Sequence, residues 1–481
     1  MTAPRITVLA SQHDELQAYF AGADDGHERP AAILFKRIEM SVPGLPSSTR
    51  YVAVEVHPFD DVWITGSSSS HVAFKLEPLR EFFRRCEERS LVFGFAHSHP
   101  TGYPTFSEID VANEQTLLSA ISNRNGRDVE LVALLWSGQT WTGRIRSTHD
   151  PLLAHDARHV LVPNRPLAVH RRRVDSTGDD EVLLRQVAAF GSAFVNTMRS
   201  LRVAIVGAGG TGSAVATTLA RSGIVEFVLI DPDTLETSNL NRVRGSTRGQ
   251  VGENKASALA QYLTGLGLGV TVGIIPDRVD SAEGVDAIAS CDVVFGCTDD
   301  QIGRELLSLA TAAYAQPYID IGLGGRIDHR ISGQPYLRYH FGRISTMLPE
   351  AGECLFCQGV VSEPQIRRQY ALREDPTMNP AEERERYIVG GQDEAPGVGP
   401  FTGTVADFGV TSLYDLISPF RRYPAEIRWD AFTVDFVKLD FQSETPRSDA
   451  SCPYCGTREF LLMDETFRLN RPALGRRNAR E

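Results

Sequence analysis

His97 and His99 stand two apart at the end of an apolar run, Leu91 to Ala96; seven residues then separate His99 from Ser107, and Asp110 lies three beyond Ser107. On a strand, positions i and i+2 face the same side, so both imidazoles can address one cation. Asp110, at the start of a helix read over Ile109 to Ala120, adds an oxygen ligand. Two imidazoles and one carboxylate leave a fourth tetrahedral position for water, the ligand set of a catalytic zinc ion rather than a structural one. Water in that position ionises at about pH 7 and becomes a nucleophile, provided a separate carboxylate takes its proton. Ser107 can donate to the oxyanion that forms. The competing bland reading is a chance turn in which Ser107 merely caps the helix.

A second constellation begins at Leu201-Arg-Val-Ala-Ile-Val206, an apolar β-branched run read as a buried strand. Gly207-Ala-Gly209-Gly210-Thr-Gly212 follows, then an apolar-periodic helix from Ala214 to Ser222 and a short strand, Glu226 to Ile230, that ends in Asp231. Glycines there let a backbone approach phosphates at a helix N-terminus, and the acidic residue suits a ribose hydroxyl. Alone, this pattern serves nicotinamide and flavin enzymes equally well. Asn239, Arg242 and Lys255 in the following segment are donors for a triphosphate rather than a nicotinamide ring, and Asp299, after a strand at Val293 to Phe295, can hold Mg2+ against those phosphates. A dehydrogenase is disfavoured on those residues.

Cys354-Leu-Phe-Cys357 and Cys452-Pro-Tyr-Cys455 form a third set. Each pair is half a zinc site, and together they supply four thiolates with no open position, a structural Zn2+ site. A redox pair is disfavoured because neither motif starts a βα unit.

The stretch from about 181 to 465 resembles the adenylation domain of the ThiF/MoeB family, which includes the ubiquitin-activating enzymes. The resemblance implies that Gly207, Gly209, Gly210 and Gly212 form the nucleotide loop, Asp231 the ribose ligand, Asn239, Arg242 and Lys255 the phosphate contacts and Asp299 the magnesium-side carboxylate. It implies that Arg185 reaches into the ATP site of a second subunit, hence a homodimer. The implied reaction joins AMP to the C-terminal carboxylate of a ubiquitin-like protein and releases pyrophosphate. Many relatives carry a thioester-forming cysteine in a loop that here runs through Gly390 to Thr404 without one; Thr402 and Thr404 are poor substitutes as nucleophiles. Of the other cysteines, Cys86, Cys291 and Cys297 read as packing residues.

The His-x-His pattern with its serine and aspartate resembles the JAMM motif of the JAB/MPN metalloproteases, known among deubiquitinases and prokaryotic relatives. That family places its general-base Glu just before a small-residue apolar strand. Glu28, ahead of Arg29-Pro-Ala-Ala-Ile-Leu, fits that position, with Glu39 and Glu55 as the alternatives. The pairing of the two resemblances implies an enzyme that hydrolyses the bond after a ubiquitin-like carrier's C-terminus and adenylates the exposed carboxylate. Such pairs serve bacterial ubiquitin-like conjugation systems, some of them antiviral, with a conjugating-enzyme homologue as a further partner. The rival readings are activation of a sulfur-carrier protein for cofactor synthesis and a non-catalytic binding scaffold.

These residues need two α/β supports: a JAB/MPN domain over 1–160 and a doubly wound, Rossmann-like adenylation domain with a zinc staple over 181–481, joined by a proline-punctuated linker at 161–180. Strands are expected at Ala31 to Phe35, Tyr51 to Val56, Val62 to Ile64, Val270 to Ile275 and Tyr318 to Ile321, and helices at Leu76 to Arg89, Glu181 to Met198 and Ile302 to Ala315. Glu363 to Tyr387 reads as charged and partly helical, and Arg468 to Arg480 as a loose basic tail. His13, His27, His57, His71, His149, His155 and His159 lack partner spacing and read as surface residues. The 481 residues allow two full cores, and a net charge of −12 argues against a nucleic-acid partner. No apolar run approaches the ~20 residues of a membrane span. The absence of a leader pattern and the paired cysteines point to a reducing cytoplasm.

Overall fold

The computed structural model describes residues 3–22, 26–171, 181–374, 397–422, 427–443 and 449–462. The chain divides into two compact units, one built in the main from residues before 172 and the other from residues after 180. Each is taken by itself.

The first unit is a mixed sheet of nine strands with the order β11-β10-β1-β3-β2-β6-β7-β8-β9. These are β1 (Arg5–Thr7), β2 (Pro30–Met40), β3 (Ser48–Pro58), β6 (Val92–His99), β7 (Glu130–Ser137), β8 (Thr140–Ser147), β9 (Asp150–Asp156), β10 (His159–Val162) and β11 (Ala168–His170). A separate hairpin, β4 (Ile64–Ser67) and β5 (Val72–Phe74), lies outside it, and the helices are α1 (Ala10–Ala21), α2 (Leu79–Glu88) and α3 (Glu108–Asn125).

Strand alternation decides what faces what. On β2, Ala31, Ile33 and Phe35 join a core with Leu16 and Phe20 of α1, while Ala32 and Leu34 join one with Phe82 and Phe83 of α2 and Leu117 of α3. With both faces covered, the strand reads as an uninterrupted apolar run. Phe93 and Phe95 of β6 belong to the α2/α3 core, so His97 and His99, two and four positions on, emerge beside α3.

The linker expected at 161–180 is corrected over its first part. Val160 to Val162 pair with β1 and with β11, so the first unit continues through His170. The proline-rich composition hid two short strands, β10, whose Val160, Leu161 and Val162 are buried, and the half-buried β11. The rest of the expected linker, 172–180, lies outside the described residues. Val62 is not in a strand; Asp61–Trp63 is a single 3-10 turn whose Asp60 side chain accepts the Val62 N–H. His159 is buried and His13 accepts the Trp141 indole N–H at 3.0 Å, so neither is the surface residue its spacing suggested.

The second unit is an eight-stranded sheet with the order β14-β13-β12-β15-β16-β17-β18-β19. Its strands are β12 (Arg202–Val206), β13 (Glu226–Ile230), β14 (Thr271–Ile275), β15 (Val293–Gly296), β16 (Tyr318–His329), β17 (Pro335–Met347), β18 (Ala431–Asp435) and β19 (Asp440–Ser443). β12 to β16 run parallel, and β17 to β19 extend the sheet antiparallel. The order reverses between β12 and β15, and ligands of doubly wound sheets sit outside the strand ends at such a switch point. The helices are α4 (Leu184–Ser200), α5 (Gly210–Arg221), α6 (Lys255–Gly265), α7 (Ala282–Ala289), α8 (Gln301–Ala313), α9 (Glu363–Glu374) and α10 (Gly399–Ile417).

The loop expected to run through Thr404 is also corrected: from Gly399 onward it is helix, with Pro400 in the first turn where its missing N–H costs nothing. The preceding stretch to 396, the second half of the charged segment and the basic tail from Arg468 lie outside the described residues. No helix among the described residues is long and apolar enough to cross a membrane.

Candidate functional sites

In the first unit, Glu28, His97, His99 and Asp110 come together, each buried, with one ligand atom apiece lying within 4.8 Å of all the others. The His97 Nε2 is 3.2 Å from the His99 Nε2 and 3.0 Å from an Asp110 carboxylate oxygen, and the His99 Nε2 is 3.5 Å from Glu28. The His99 Nδ1 is 2.9 Å from the carbonyl oxygen of Tyr103; as donor there, it turns its other nitrogen's lone pair inward.

Each group has a support. The Glu28 N–H donates to the Ser68 carbonyl, and the Ser67 hydroxyl donates to the Glu28 carbonyl. Next to it, the Arg29 N–H donates to the Ser98 hydroxyl and the Arg29 carbonyl accepts the Ser98 N–H, which keeps Glu28 beside the strand that carries both histidines. Asp110 accepts the Ser107 N–H at 2.6 Å, while the Ser107 hydroxyl accepts the Asp110 N–H at 3.2 Å. Ser107 thus caps α3, and the bland reading is true of it without excluding the other, since the half-exposed hydroxyl keeps its proton to give.

Both Glu28 carboxylate oxygens are buried without a hydrogen bond. Burial pushes this carboxyl up, against the pull of His97 and His99. Burial also acts against ionised Asp110, but its contacts with His97 and His99 and the hydrogen bond from the Ser107 N–H outweigh it and hold the carboxyl well below its usual range. Orphaned acceptor atoms, an inward imidazole and an ionised aspartate are the donor set a zinc ion needs, so the residues fit the metal the spacing suggested. The other carboxylates lie elsewhere: Glu39 is exposed and pairs with Arg37, and Glu55 is engaged by Arg85, Arg89 and His57.

In the second unit, the glycine turn leaves β12 with Gly207 at φ +93°, and its N–H donates to the Ile230 carbonyl. A Cβ at Gly212 would fall 1.7 Å from the Gly207 carbonyl oxygen, so only glycine closes this turn. Asp231 accepts the Ala208 N–H at 2.6 Å and the Asp233 N–H at 2.8 Å; burial nevertheless raises its carboxyl. Gly210 opens α5 beneath the Arg242 side chain and Thr402 of α10, and Gly209 is its N-cap. Arg242 is tied to the Ser238 carbonyl, and buried Asn239 accepts the Glu236 N–H. The Lys255 ammonium lies 2.8 Å from Asp233. Asp299 is exposed and makes no hydrogen bond to a described residue, whereas its neighbour Asp300 caps α8 and pairs with Arg373. The Cys297 N–H donates to the Val206 carbonyl, so the chain that carries Asp299 leaves the sheet beside the glycine turn. Arg185 is exposed in the first turn of α4, which kinks at Gly191.

Sequence reading missed Asn254. Its amide oxygen caps α6 by accepting the Ser257 N–H, and its amide nitrogen donates to the carbonyls of Asp231 and Asp233 at 2.8 and 3.1 Å. One side chain therefore stitches the ribose-side loop to the helix that starts with Lys255. An Asn directly before a helix was the available signal. Thr402 and Thr404 spend their hydroxyl protons on carbonyls of the preceding turn, which lowers their standing as nucleophiles further. Cys291 is buried with its thiol on the Ala287 carbonyl, and burial raises the Cys297 thiol far above its ordinary value.

Cys354, Cys357, Cys452 and Cys455 converge, with sulfurs 3.6 Å apart for the pairs Cys354–Cys452, Cys354–Cys455 and Cys357–Cys455. A tetrahedron of sulfurs about 2.3 Å from zinc has edges of about 3.8 Å, so the cluster fits the ion.

A glycine turn, an acidic residue on the next strand and a switch point define a nucleotide-binding α/β protein of the Rossmann type. Within that class the chain belongs to the ThiF family, whose model matches residues 183–455. The adenylyltransferase and sulfurtransferase UBA4 of Saccharomyces cerevisiae is 29 % identical over 147 residues, 28 % of this chain and 33 % of the relative. The sulfur carrier protein ThiS adenylyltransferase of Escherichia coli is 31 % identical over 150 residues, 31 % of this chain and 59 % of the relative. Protein HesA of Nostoc sp. is 24 % identical over 268 residues, 56 % of this chain and 89 % of the relative. The chain thus spans about a third of the length of UBA4. Among solved structures, MccB of E. coli aligns over 59 % of this chain and 76 % of its own at 18 % identity, with a TM-score of 0.44.

Proposed function

We propose that the second unit adenylates the C-terminal carboxylate of a ubiquitin-like or sulfur-carrier protein, and that the first hydrolyses the bond following that carboxylate. The observation that carries the reading is the closed glycine turn, with Asp231, Arg242 and Lys255 around it, in a ThiF-family chain. ATP lies with its ribose on Asp231 and its phosphates toward the first turn of α5, where unpaired N–H groups and the helix dipole favour anions. Arg242 and Lys255 neutralise phosphate charge; Lys255 exchanges Asp233 for the nucleotide. Asp299 holds the magnesium ion. A carboxylate oxygen of the carrier attacks the α-phosphorus, the bond to the β-phosphate oxygen breaks and pyrophosphate leaves.

At the other centre, His97, His99 and Asp110 would hold zinc, which would supply Lewis acidity to a water molecule. Glu28 takes that water's proton and returns it to the leaving nitrogen, a role that a carboxyl of raised affinity for protons suits. Ser107 donates to the tetrahedral oxyanion. The pathway is a bacterial ubiquitin-like conjugation system, with a conjugating-enzyme homologue receiving the adenylate. The second reading, sulfur-carrier activation for cofactor synthesis, draws on the names of the UBA4 and ThiS-activating relatives.

Pyrophosphate exchange into ATP tests the adenylation centre. Wild type should exchange in the presence of a carrier with a free C-terminus, and Asp299→Ala should not. If Arg185 serves the site of a second subunit, Arg185→Ala also fails alone and regains activity when mixed with Asp299→Ala subunits. An absence of carrier-dependent exchange across ubiquitin-like carriers removes the adenylation reading.

A further inference from the structure

Asp299 and Asp300 stand side by side at the start of α8, yet only Asp300 is engaged by the fold. The N-terminus of a helix leaves four backbone N–H groups without intrahelical partners and attracts carboxylates. Here all four are taken. The Asp300 N–H donates to the Thr298 hydroxyl at 3.1 Å and the Gly303 N–H to the Asp300 carboxylate at 2.8 Å. The Gln301 and Ile302 N–H groups both donate to the amide oxygen of Gln369, at 2.9 and 3.2 Å. Gln369 belongs to α9, 68 residues beyond Gln301. A neutral amide oxygen thus fills the place that would otherwise draw in a second carboxylate from the turn before the helix.

Arg373 lies one helical turn beyond Gln369, on the same face of α9. Its Nη1 is 2.6 Å from Asp280 and its Nη2 is 3.0 Å from Asp300. Asp300 is therefore held on both oxygens, Oδ1 by Arg373 and Oδ2 by the Gly303 N–H. Its charge is paired on the side of α9. The contact also runs the other way. The Gln301 side chain donates to the Val360 carbonyl at 3.2 Å and accepts the Ser362 N–H at 3.4 Å, which ties the approach to α9 onto the same turn.

With the helix end covered and Asp300 paired, Asp299 alone stays exposed, with no hydrogen bond to a described residue. The Cys297 N–H on the Val206 carbonyl sets this carboxylate two residues from the glycine turn. An oxygen ligand without competing donors, beside a phosphate cradle, suits a hard divalent cation.

We infer that Gln369 and Arg373 of α9 are positioning residues for the adenylation centre: by occupying the end of α8 and Asp300 they keep the Asp299 carboxylate unpaired for the divalent cation that accompanies the nucleotide. This rests on the adenylation reading and adds how the cation's ligand is kept available. Both residues act through α8 and Asp300. Neither stands out in the sequence, because they meet α8 only when α9 packs on it.

Calorimetry of ATP binding to the full chain, once with Mg2+ and once with EDTA, separates the cation's share from the nucleotide's. Gln369→Leu keeps the size and removes the acceptor, Gln369→Glu restores an acceptor, and Arg373→Ala releases Asp300. Gln369→Leu and Arg373→Ala should each weaken ATP binding in Mg2+ roughly tenfold, the order of one ionic contact, and leave binding in EDTA unchanged. Gln369→Glu should restore the Mg2+-supported affinity. Added to Asp299→Asn, which removes the ligand itself, neither weakening variant should lower that affinity further, because all three act on one contact. Amide hydrogen exchange at Gln301 and Ile302 reads the cap without nucleotide: both N–H groups should be protected in wild type and in Gln369→Glu, and lose protection in Gln369→Leu. Equal weakening in Mg2+ and EDTA would reduce α9 to packing and overturn the inference. So would wild-type affinity in Gln369→Leu and Arg373→Ala, full additivity with Asp299→Asn, or unchanged exchange in Gln369→Leu. A wild type that binds no ATP, or gains nothing from Mg2+, overturns it as well. The expected pattern without carrier-dependent pyrophosphate exchange would uphold the positioning role and count against adenylation alone.

Discussion

Glu28 shows at the residue scale how the carboxylate proposed as the general base differs from one bound up in ion pairs. Glu55 is held by Arg85, Arg89 and His57 and Glu114 is clamped by Arg144 and Arg146, so both are satisfied within the unit. Glu28 is just as buried as Glu114 yet neither oxygen has a hydrogen bond, an expense that a packed protein retains for chemistry. Glu28→Gln should keep the shape and the metal while removing the proton acceptor. The expected outcome is unchanged zinc content by elemental analysis and a loss of carrier-tail cleavage of about 100-fold or more, the usual worth of a general base. Normal cleavage by this variant would place the base on another residue.

Elements carry the next level of the argument. β6 brings His97 and His99 onto the face that α3 covers, and the first turn of α3 carries the aspartate that joins them. The same face of α3 is fixed one turn later, where Glu114 is held by two arginines of β8. In the second unit the turn from β12 to α5 is the element on which the proposed nucleotide binding depends. Gly212→Ala forces a methyl into the Gly207 carbonyl and must open that turn. Overpacking of this kind costs about 1–3 kcal/mol, so the midpoint of denaturant unfolding should fall and ATP binding should be lost before the fold is. An alanine variant that binds ATP like wild type would show that the turn is not the phosphate cradle.

At the scale of the molecule, two metal centres of opposite kinds are proposed. The His/His/Asp centre keeps an open position and a proton acceptor, and the four-thiolate centre keeps neither. Cys354 and Cys357 lie between β17 and α9, and Cys452 and Cys455 follow β19, so that zinc would staple the antiparallel end of the sheet to the segment after it. Its loss should cost folding energy, whereas loss of the first should cost only activity. Wild type should carry two zinc ions per chain and Cys354→Ser/Cys452→Ser one, with a lowered Tm. A mild chelator should stop cleavage while pyrophosphate exchange continues. Equal zinc in both proteins would remove the thiolate site.

Local patterns in the sequence were enough for most features that depend on neighbours in the chain. The His-x-His pair on a strand, the helix whose first turn carries Asp110, the glycine turn, and the alternation that makes a doubly wound sheet all follow from spacing, because strand and helix periods and turn sterics act over a few residues. Zinc half-sites belong to the same class, since each C-x-x-C is local. What the sequence left open was every question of long-range choice. Glu28, Glu39 and Glu55 look alike in a string; only the pairing of β2 with β6 puts the first beside the histidines and leaves the others to arginines. β10 and β11 were hidden in a proline-rich stretch because three- and four-residue strands carry too little periodicity of their own and are strands only through pairing, β10 with β1 and β11 with β10. The Asn254 stitch to the Asp231 and Asp233 carbonyls likewise exists only once the sheet is assembled, because a hydrogen bond between distant segments has no signature until tertiary packing sets its length.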